Sequence, residues 1–112
     1  MKAHRMRLQP KYFDFIKGGT KRIELRLYDE KRQLIRLGDV IEFTKSENEK
    51  FKTEVIGLLH YKSFDDLFED FDISILADAS MNKQELLSTL EEFYPTEKQA
   101  EFGVIGIRLK LL

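Results

Sequence analysis

The helices of this chain are distributed irregularly between five segments with strand character, and this order limits the folds that it can adopt. The strand-like segments are residues 3–8, 21–28, 39–44, 51–61 and 103–111. One helical pattern follows the first segment, and the others are gathered between the fourth and the fifth. A doubly wound parallel sheet needs regular strand–helix alternation. The sequence therefore predicts an α+β fold in which helices pack outside a small, mostly antiparallel curved sheet or barrel.

The composition favours one globular domain over residues 1–112 without a metal or a cofactor. With 42% hydrophobic residues, the chain is long enough to bury a sizeable core. It has no cysteine and only two histidines, which excludes disulfides and thiolate metal sites and disfavours a zinc or haem centre. Glycine-rich phosphate loops and the Gly-x-Ser-x-Gly turn are also missing. We therefore expect no cofactor, and the common cofactor enzymes are disfavoured.

No segment of the sequence is suited to export or to crossing a membrane. There is no run of 18 consecutive apolar residues, and no apolar run follows the basic residues near the start. We therefore expect a cytoplasmic protein that does not bind membranes, and we assume a monomer.

Charge is distributed unevenly along the chain, although the net charge is only −1. Residues 1–36 have eleven Lys and Arg against four Asp and Glu, a balance of +7, whereas residues 37–112 have eight against sixteen, a balance of −8. The first third can therefore build a positive surface for an anionic partner. In the alternative interpretation, the two parts interleave in the fold and neutralise one another.

Local signals indicate helix boundaries and one irregular strand. Pro10 suits the first turn of a helix, and Pro95 ends another. Three pairs of residues have the spacing of a helix N-cap and its third helical residue: Ser63 with Asp66, Asn82 with Glu85, and Thr96 with Gln99. Within residues 51–61, strand alternation predicts that Phe51, Thr53, Val55, Gly57, Leu59 and Tyr61 share one face. Gly57 suggests a bulge or bend in that strand.

The segment after Gly18-Gly19 concentrates the charged side chains that are most suggestive of chemistry. Alternation sends Ile23, Leu25 and Leu27 to one face and Arg22, Glu24, Arg26 and Tyr28 to the other, with Lys21 at the turn. If the heads of Lys21, Glu24 and Arg26 converge at a barrel mouth, the two cations can bind phosphate or a carbonyl oxygen. Glu24 can then accept from an amino or hydroxyl group. The alternative is a solvated strand face with cross-strand charge pairs.

Other candidates for chemistry have ordinary structural explanations. His60 can act as a general base or stack on a base, but a lone histidine near a strand end is more often half-buried. The tyrosines can stack on nucleobases, although aromatic residues at helical and strand spacing are core residues first, and Tyr28 is the best exception. The acidic run at residues 65–72 lacks the loop of a calcium site and is interpreted as a solvated helix face.

Two motifs in this order resemble the ASCH domain family. The first motif is Gly-x-Lys-x-x-Glu-x-Arg, at Gly19, Lys21, Glu24 and Arg26. The second is an apolar residue followed by Gly-Asp-x-Ile-x-Phe, at Leu37, Gly38, Asp39, Ile41 and Phe43. The similarity in layout covers nearly the whole chain. It implies a PUA-like β-barrel with peripheral helices and a cleft, lined by the first motif, that binds RNA or a nucleotide-like ligand.

The resemblance also implies an alternative function as an amidohydrolase. Some small bacterial members of this family deacetylate N4-acetylcytidine with a threonine, a lysine and a later glutamate. Lys21 matches the lysine, whereas Glu24 stands at the threonine position. The later glutamate aligns close to Ala79, with Asp78 the nearest carboxylate. If the protein is an enzyme, its catalytic residues are Lys21 and Glu24, with Glu24 acting as the base that activates water.

The favoured hypothesis is a binding module for single-stranded RNA or a nucleotide-like small molecule. Lys21, Glu24 and Arg26 line its cleft, and Tyr28 lies on the same strand face. We expect three flanking residues to contact phosphate: Arg22, Arg5 and Arg7.

Overall fold

The computed structural model describes residues 2–77 and 80–112 and contains one five-stranded sheet with helices packed against it. The strands are β1 (Ala3–Arg7), β2 (Ile23–Leu27), β3 (Val40–Ser46), β4 (Glu49–Tyr61) and β5 (Val104–Leu111). The helices are α1 (Pro10–Lys17), α2 (Phe64–Asp70), α3 (Ile73–Leu76), α4 (Lys83–Phe93) and α5 (Thr96–Phe102). A single 3₁₀ turn, Arg32–Leu34, lies between β2 and β3. All five predicted strands are therefore confirmed, whereas the sequence did not predict α3 or the 3₁₀ turn.

The sheet is mostly antiparallel and leaves two strands at its edges. The strand order is β1-β3-β4-β5-β2, in which β1 pairs with β3 in parallel and the other three pairs are antiparallel. Because β1 and β2 pair on one side only, the curled sheet forms a half-barrel. The expected α+β class is confirmed.

Apolar side chains form two clusters, one on each face of the sheet. Ile105 and Ile107 of β5 belong to the first cluster together with Phe13 and Ile16 of α1. The second cluster contains Ile23 and Leu25 of β2 with side chains of α2, α3 and α4. Because strand side chains alternate between faces, the side chains of Glu24 and Arg26 lie on the α1 side of β2.

Two of the three predicted helix caps are confirmed. Ser63 Oγ accepts a hydrogen bond from the Asp66 amide (3.2 Å), and Asn82 forms a complete capping box with Glu85. The third prediction is wrong, because α5 begins at Thr96 with Pro95 as its N-cap and no side-chain cap. Gln99 instead binds two backbone groups elsewhere, because its buried position favours contacts with the core.

The predicted irregularity in β4 is present and separates the residues that were expected to share a face. The register between β4 and β5 shifts between Val55 and Gly57, which is a β-bulge. Before the bulge, Val55 packs in the first cluster, whereas Leu59 and Tyr61 after it pack against the second. The prediction of one common face for residues 51–61 is therefore wrong, since the extra residue reverses the alternation.

Candidate functional site

A pocket of about 170 Å³ lies between the two edge strands of the sheet. It is lined by the end of β1, the start of α1, Lys21, β2, α3, α4 and Tyr94. Arg26 of β2 spans the gap, because its Nη2 donates to the carbonyl oxygen of Arg7 in β1 (3.0 Å). The pocket thus lies where β1 and β2 would pair with each other if the barrel were closed. One side of it is charged and the other, formed by α4, is apolar.

The turn after α1 delivers Lys21 to this pocket. Gly19 has a φ of +85°, in the left-handed region that favours glycine. The backbone amides of Thr20 and Lys21 both donate to the carbonyl oxygen of Phe15 (3.0 Å each). These hydrogen bonds fix the position of the Lys21 backbone at the end of α1. The turn that they close requires Gly19, which explains why the glycine pair precedes the charged residues.

Lys21 is buried, with only 3% of its surface exposed. Its Nζ donates to the carbonyl oxygens of Ile23 (2.5 Å) and Leu76 (2.6 Å) and lies 3.4 Å from Glu24 Oε1. Burial lowers the pKa of Lys21 below its ordinary value, and the Glu24 carboxylate opposes that shift. The ammonium group therefore joins β2 to α3.

Glu24 is 5% exposed and lies between two cations. Its Oε2 accepts from Arg26 Nε (2.9 Å) and its Oε1 accepts from the Leu25 amide (3.2 Å), while Lys21 is the second cation. Burial alone would raise the pKa of Glu24, but the charges of Arg26 and Lys21 hold it below its ordinary value. Glu24 is therefore ionised, and the solvated strand face considered from the sequence is wrong for Lys21 and Glu24.

Arg26 connects the charged side of the pocket to Tyr94. Burial would lower the pKa of Arg26, but the Glu24 carboxylate and the Tyr94 hydroxyl together raise it. Burial raises the pKa of the Tyr94 hydroxyl, with Arg26 opposing that shift. The Tyr94 ring packs at 5.8 Å from the Phe64 ring. Tyr94 therefore places a phenol at the junction of the charged and apolar walls.

The apolar wall of the pocket comes mainly from α4. Leu86, Leu90 and Phe93 line the cavity, and Phe93 is an exposed aromatic at its edge. Helical spacing places these three side chains on one stripe along α4. The pocket therefore has the usual composition of a small-molecule site, largely apolar with a few convergent polar groups.

The structure brings only some of the predicted binding residues to this pocket. Lys21, Glu24, Arg26 and Arg7 line it. Arg22 lines a second cavity of about 260 Å³, where it lies with Gly19, Lys21 and apolar side chains. Because that cavity lacks Glu24 and Arg26, we place the candidate site in the first.

Arg5 and Tyr28 are not among the residues that line either cavity. The Arg5 side chain is 83% exposed, and its Nε lies 3.5 Å from Glu42 Oε1. Tyr28 packs against the His60 ring (4.3 Å between centroids) and the first apolar cluster. His60 is exposed rather than half-buried, so its expected burial is wrong.

Sequence reasoning missed two tyrosines that line the pocket, Tyr12 and Tyr94. Both were interpreted as core residues. The available signal for Tyr94 was its position directly after the apolar stripe of α4 and before Pro95, which makes it the C-cap residue of that helix. The position expected for the later glutamate of the hydrolases, Ala79 with Asp78 beside it, lies outside the described residues.

The second sequence motif has a separate structural role. The buried Asp39 carboxylate accepts from His4 Nε2 (2.8 Å) and from the backbone amides of Lys2 (3.1 Å) and Arg36 (3.0 Å). These contacts join the start of β1 to the turn before β3. The hydrogen bond from His4, followed by that from the Arg36 amide, lowers the pKa of Asp39 to about 2.

Residues 2–77 and 80–112 provide neither a metal-binding cluster nor a membrane-spanning helix. In this part of the chain no group of three or more His, Cys, Asp or Glu side chains is arranged to hold a metal ion. No helix there has the length and apolarity needed to cross a membrane. The acidic residues at 65–72 lie in and after α2, where Asp72 caps α3 through the Ser74 amide (2.9 Å).

Solved structures of other proteins share this fold. The crystal structure of a hypothetical protein, PH0355, is 37% identical, with a TM-score of 0.89 and full coverage of both chains. The solution structure of protein PF0455 from Pyrococcus furiosus is 33% identical, with a TM-score of 0.80 over 98% of this chain and 97% of that one. An ASCH protein from Zymomonas mobilis is 13% identical, with a TM-score of 0.68 over 97% of this chain and 67% of that one.

A search of curated proteins returned no significant match. A family model described as ASCH domain matches residues 6–112, which is nearly the whole chain. Together with the half-barrel and the two motifs, this match shows that the chain belongs to the ASCH domain family and has its PUA-like fold.

Proposed function

We propose that this protein binds a nucleotide-like ligand, free or as part of single-stranded RNA, in the pocket between β1 and β2. The observation that carries the proposal is the pairing of a cationic side with an apolar, aromatic wall. Three cations and one carboxylate line the pocket, Arg7, Lys21 and Arg26 against Glu24, so that its charged lining is net +2. Such a lining favours an anionic ligand with a flat apolar part.

The size of the pocket suits one ring system rather than a long chain segment. Its volume of about 170 Å³ is on the order of ten times the minimum that one water molecule needs. A base placed against Leu90 and Phe93 of α4 would exclude water from an apolar surface. Tyr94 adds a ring on which a base can stack.

Arg7 is the cation best placed to bind a phosphate group. It is exposed at the pocket, and its side chain has no ion pair or hydrogen bond within the described part of the chain. Lys21 and Arg26, by contrast, already bind Glu24 and backbone carbonyl oxygens. A phosphate at Arg7 would gain a charge-assisted contact without breaking this network.

The amidohydrolase alternative has less support from the geometry. Its mechanism needs Glu24 to take a proton from water, and a general base works best with a pKa near the operating pH. Arg26 and Lys21 instead hold the pKa of Glu24 below its ordinary value. Binding without turnover is therefore the function that we conclude.

The test compares two arginines from the same third of the chain. Fluorescence anisotropy of short single-stranded RNA at two salt concentrations should give salt-dependent binding that Arg7→Gln weakens and Arg22→Gln does not. For single-stranded nucleic acid, each phosphate contact contributes about 0.7 to the slope of the logarithm of the binding constant against the logarithm of the salt concentration. Arg7→Gln should therefore also reduce this slope by about 0.7. Equal affinity in Arg7→Gln and the parent protein would contradict the proposal.

A parallel chromatographic assay for loss of N4-acetylcytidine decides between binding and hydrolysis. No turnover is expected. Turnover that disappears in Glu24→Gln would instead establish the amidohydrolase and its base.

A further inference from the structure

The edge of β2 that faces the pocket presents backbone groups as well as side chains. Two hydrogen bonds flank the pairing of β2 with β5. The amide of Leu109 donates to the carbonyl oxygen of Arg22, and the amide of Tyr28 donates to the carbonyl oxygen of Gly103. Hydrogen-bonded residues alternate in an antiparallel pair, so Glu24 and Arg26 use their backbone groups toward β5. The amide and carbonyl of Leu25 therefore point to the opposite edge, away from β5.

Two backbone groups on this free edge are satisfied by neighbouring side chains. The carbonyl oxygen of Ile23 accepts from Lys21 Nζ, and the amide of Leu25 donates to Glu24 Oε1. The carbonyl oxygen of Leu25 comes next along the edge. Within residues 2–77 and 80–112, no side chain donates to it, and the register directs it away from the β5 ladder. A buried carbonyl without a partner costs about 1–3 kcal/mol, so this group favours a donor.

The pocket faces this edge directly. Its lining includes Glu24 and Arg26 from one face of β2 and Leu25 from the other. Residues from both faces of one strand can line the same cavity only where the cavity meets the strand at its edge. The Leu25 carbonyl therefore points toward the pocket, whose lining also includes Arg26.

We propose that the Leu25 carbonyl oxygen accepts a hydrogen bond from an N–H group of the ligand, while Arg26 donates to an acceptor beside it. The edge of β2 then binds a nucleobase much as it would bind a neighbouring strand, with the Leu25 carbonyl as the acceptor and Arg26 as the donor. The N–H group can belong to a ring lactam, as in uracil, or to an exocyclic amine, as in cytosine and adenine. This inference rests on the proposed function and extends it from phosphate binding to recognition of the base.

The test uses pairs of ligands that differ in that donor. Calorimetric titration would compare the 5′-monophosphates of uridine, cytidine and adenosine with their 3-methyl, N4,N4-dimethyl and N6,N6-dimethyl derivatives, and with ribose 5-phosphate. For each nucleotide that binds, methylation should weaken binding about tenfold or more, since the carbonyl then stays unpaired. The ratio should persist in Arg7→Gln, because a phosphate contact and a base contact at separate points add independently.

A carbonyl ¹³C measurement separates the loss of the hydrogen bond from crowding by the methyl group. In protein labelled at leucine carbonyls, the Leu25 resonance should shift when the parent nucleotide binds and stay in place with the methylated one at saturation. Leu37, which is exposed and not part of the pocket lining, serves as the internal control.

The outcomes distinguish the two proposals. Equal affinity for parent and methylated nucleotides, or an unmoved Leu25 resonance, would overturn base reading by the strand edge while nucleotide binding stands. Binding of ribose 5-phosphate as tight as that of the nucleotides would also overturn it. No binding of any of the three nucleotides would overturn this inference, and if short single-stranded RNA also fails to bind in the anisotropy titration, the proposed function is overturned with it.

Discussion

Glu24 and Asp39 are both buried carboxylates from the family motifs, yet their surroundings differ in kind. Glu24 binds two charged side chains, Arg26 and Lys21, and lines a pocket. Asp39 binds His4 and two backbone amides at a turn, and it lines neither of the two cavities. A carboxylate held by backbone amides fixes a turn, whereas one held by buried cations creates a local field that a ligand can sense. Burial alone does not distinguish a site residue from a structural one.

Removal of the Glu24 carboxylate should have the largest effect on stability. Glu24→Ala leaves Lys21 and Arg26 buried without their counter-ion, which should lower the free energy of unfolding by about 3–5 kcal/mol. Urea denaturation measures this loss. Glu101→Ala is the matched control, because the Glu101 side chain is 57% exposed and its removal should cost within about 0.5 kcal/mol. Equal losses in the two variants would show that the buried charges are not coupled as described.

Breaking the Asp39 side should lower stability less and leave ligand binding unchanged. Asp39→Ala removes the acceptor of His4 and of the Lys2 and Arg36 amides, but it leaves no buried Lys or Arg side chain without a counter-ion. The melting temperature should fall by less than in Glu24→Ala. Nucleotide affinity should stay within about twofold, because distant sites act independently. A large loss of affinity would mean that the two motifs form one site.

Acid should destabilise the protein through both carboxylates, because the pKa of each is lowered in the folded state. Their folded-state pKa values are lowered, so each contributes stability that is fully present above the ordinary pKa and is lost as the pH falls through the folded pKa. For Asp39 that window runs from 3.8 down to about 2. Thermal unfolding between pH 5 and pH 2 should show a flatter dependence in Asp39→Asn. An unchanged slope would contradict the lowered pKa.

The smallest effect on stability should come from the hydroxyl of Tyr94. Tyr94→Phe keeps the ring beside Phe64 but removes the group that interacts with Arg26, which should cost about 0.5–1.5 kcal/mol. Nucleotide affinity should fall more visibly than stability, since the hydroxyl lies at the pocket. Isothermal titration beside urea denaturation checks both. Unaltered affinity would remove Tyr94 from the site and leave it a core residue.

Features that depend on neighbours in the sequence were predictable. The capping box at Asn82 and Glu85, the bulge near Gly57 and the alternation of Ile23 and Leu25 were read correctly, because each depends on local backbone geometry. The N-cap at Thr96 was not, because Gln99 makes contacts with Phe64 and Tyr94 that local spacing does not reveal.

The site divides in the same way. The sequence by itself determined that Glu24 and Arg26 lie on one face of a short strand and that Lys21 comes just before it, after a glycine turn, since periodicity and turn chemistry are local properties. Only the tertiary structure decided that Lys21 is buried, because its partner carbonyl belongs to Leu76, 55 residues away. The same applies to the choice of Tyr94 rather than Tyr28 as a pocket residue. Burial and charge pairing depend on which distant segments pack together, and a single strand pattern contains no information about that packing.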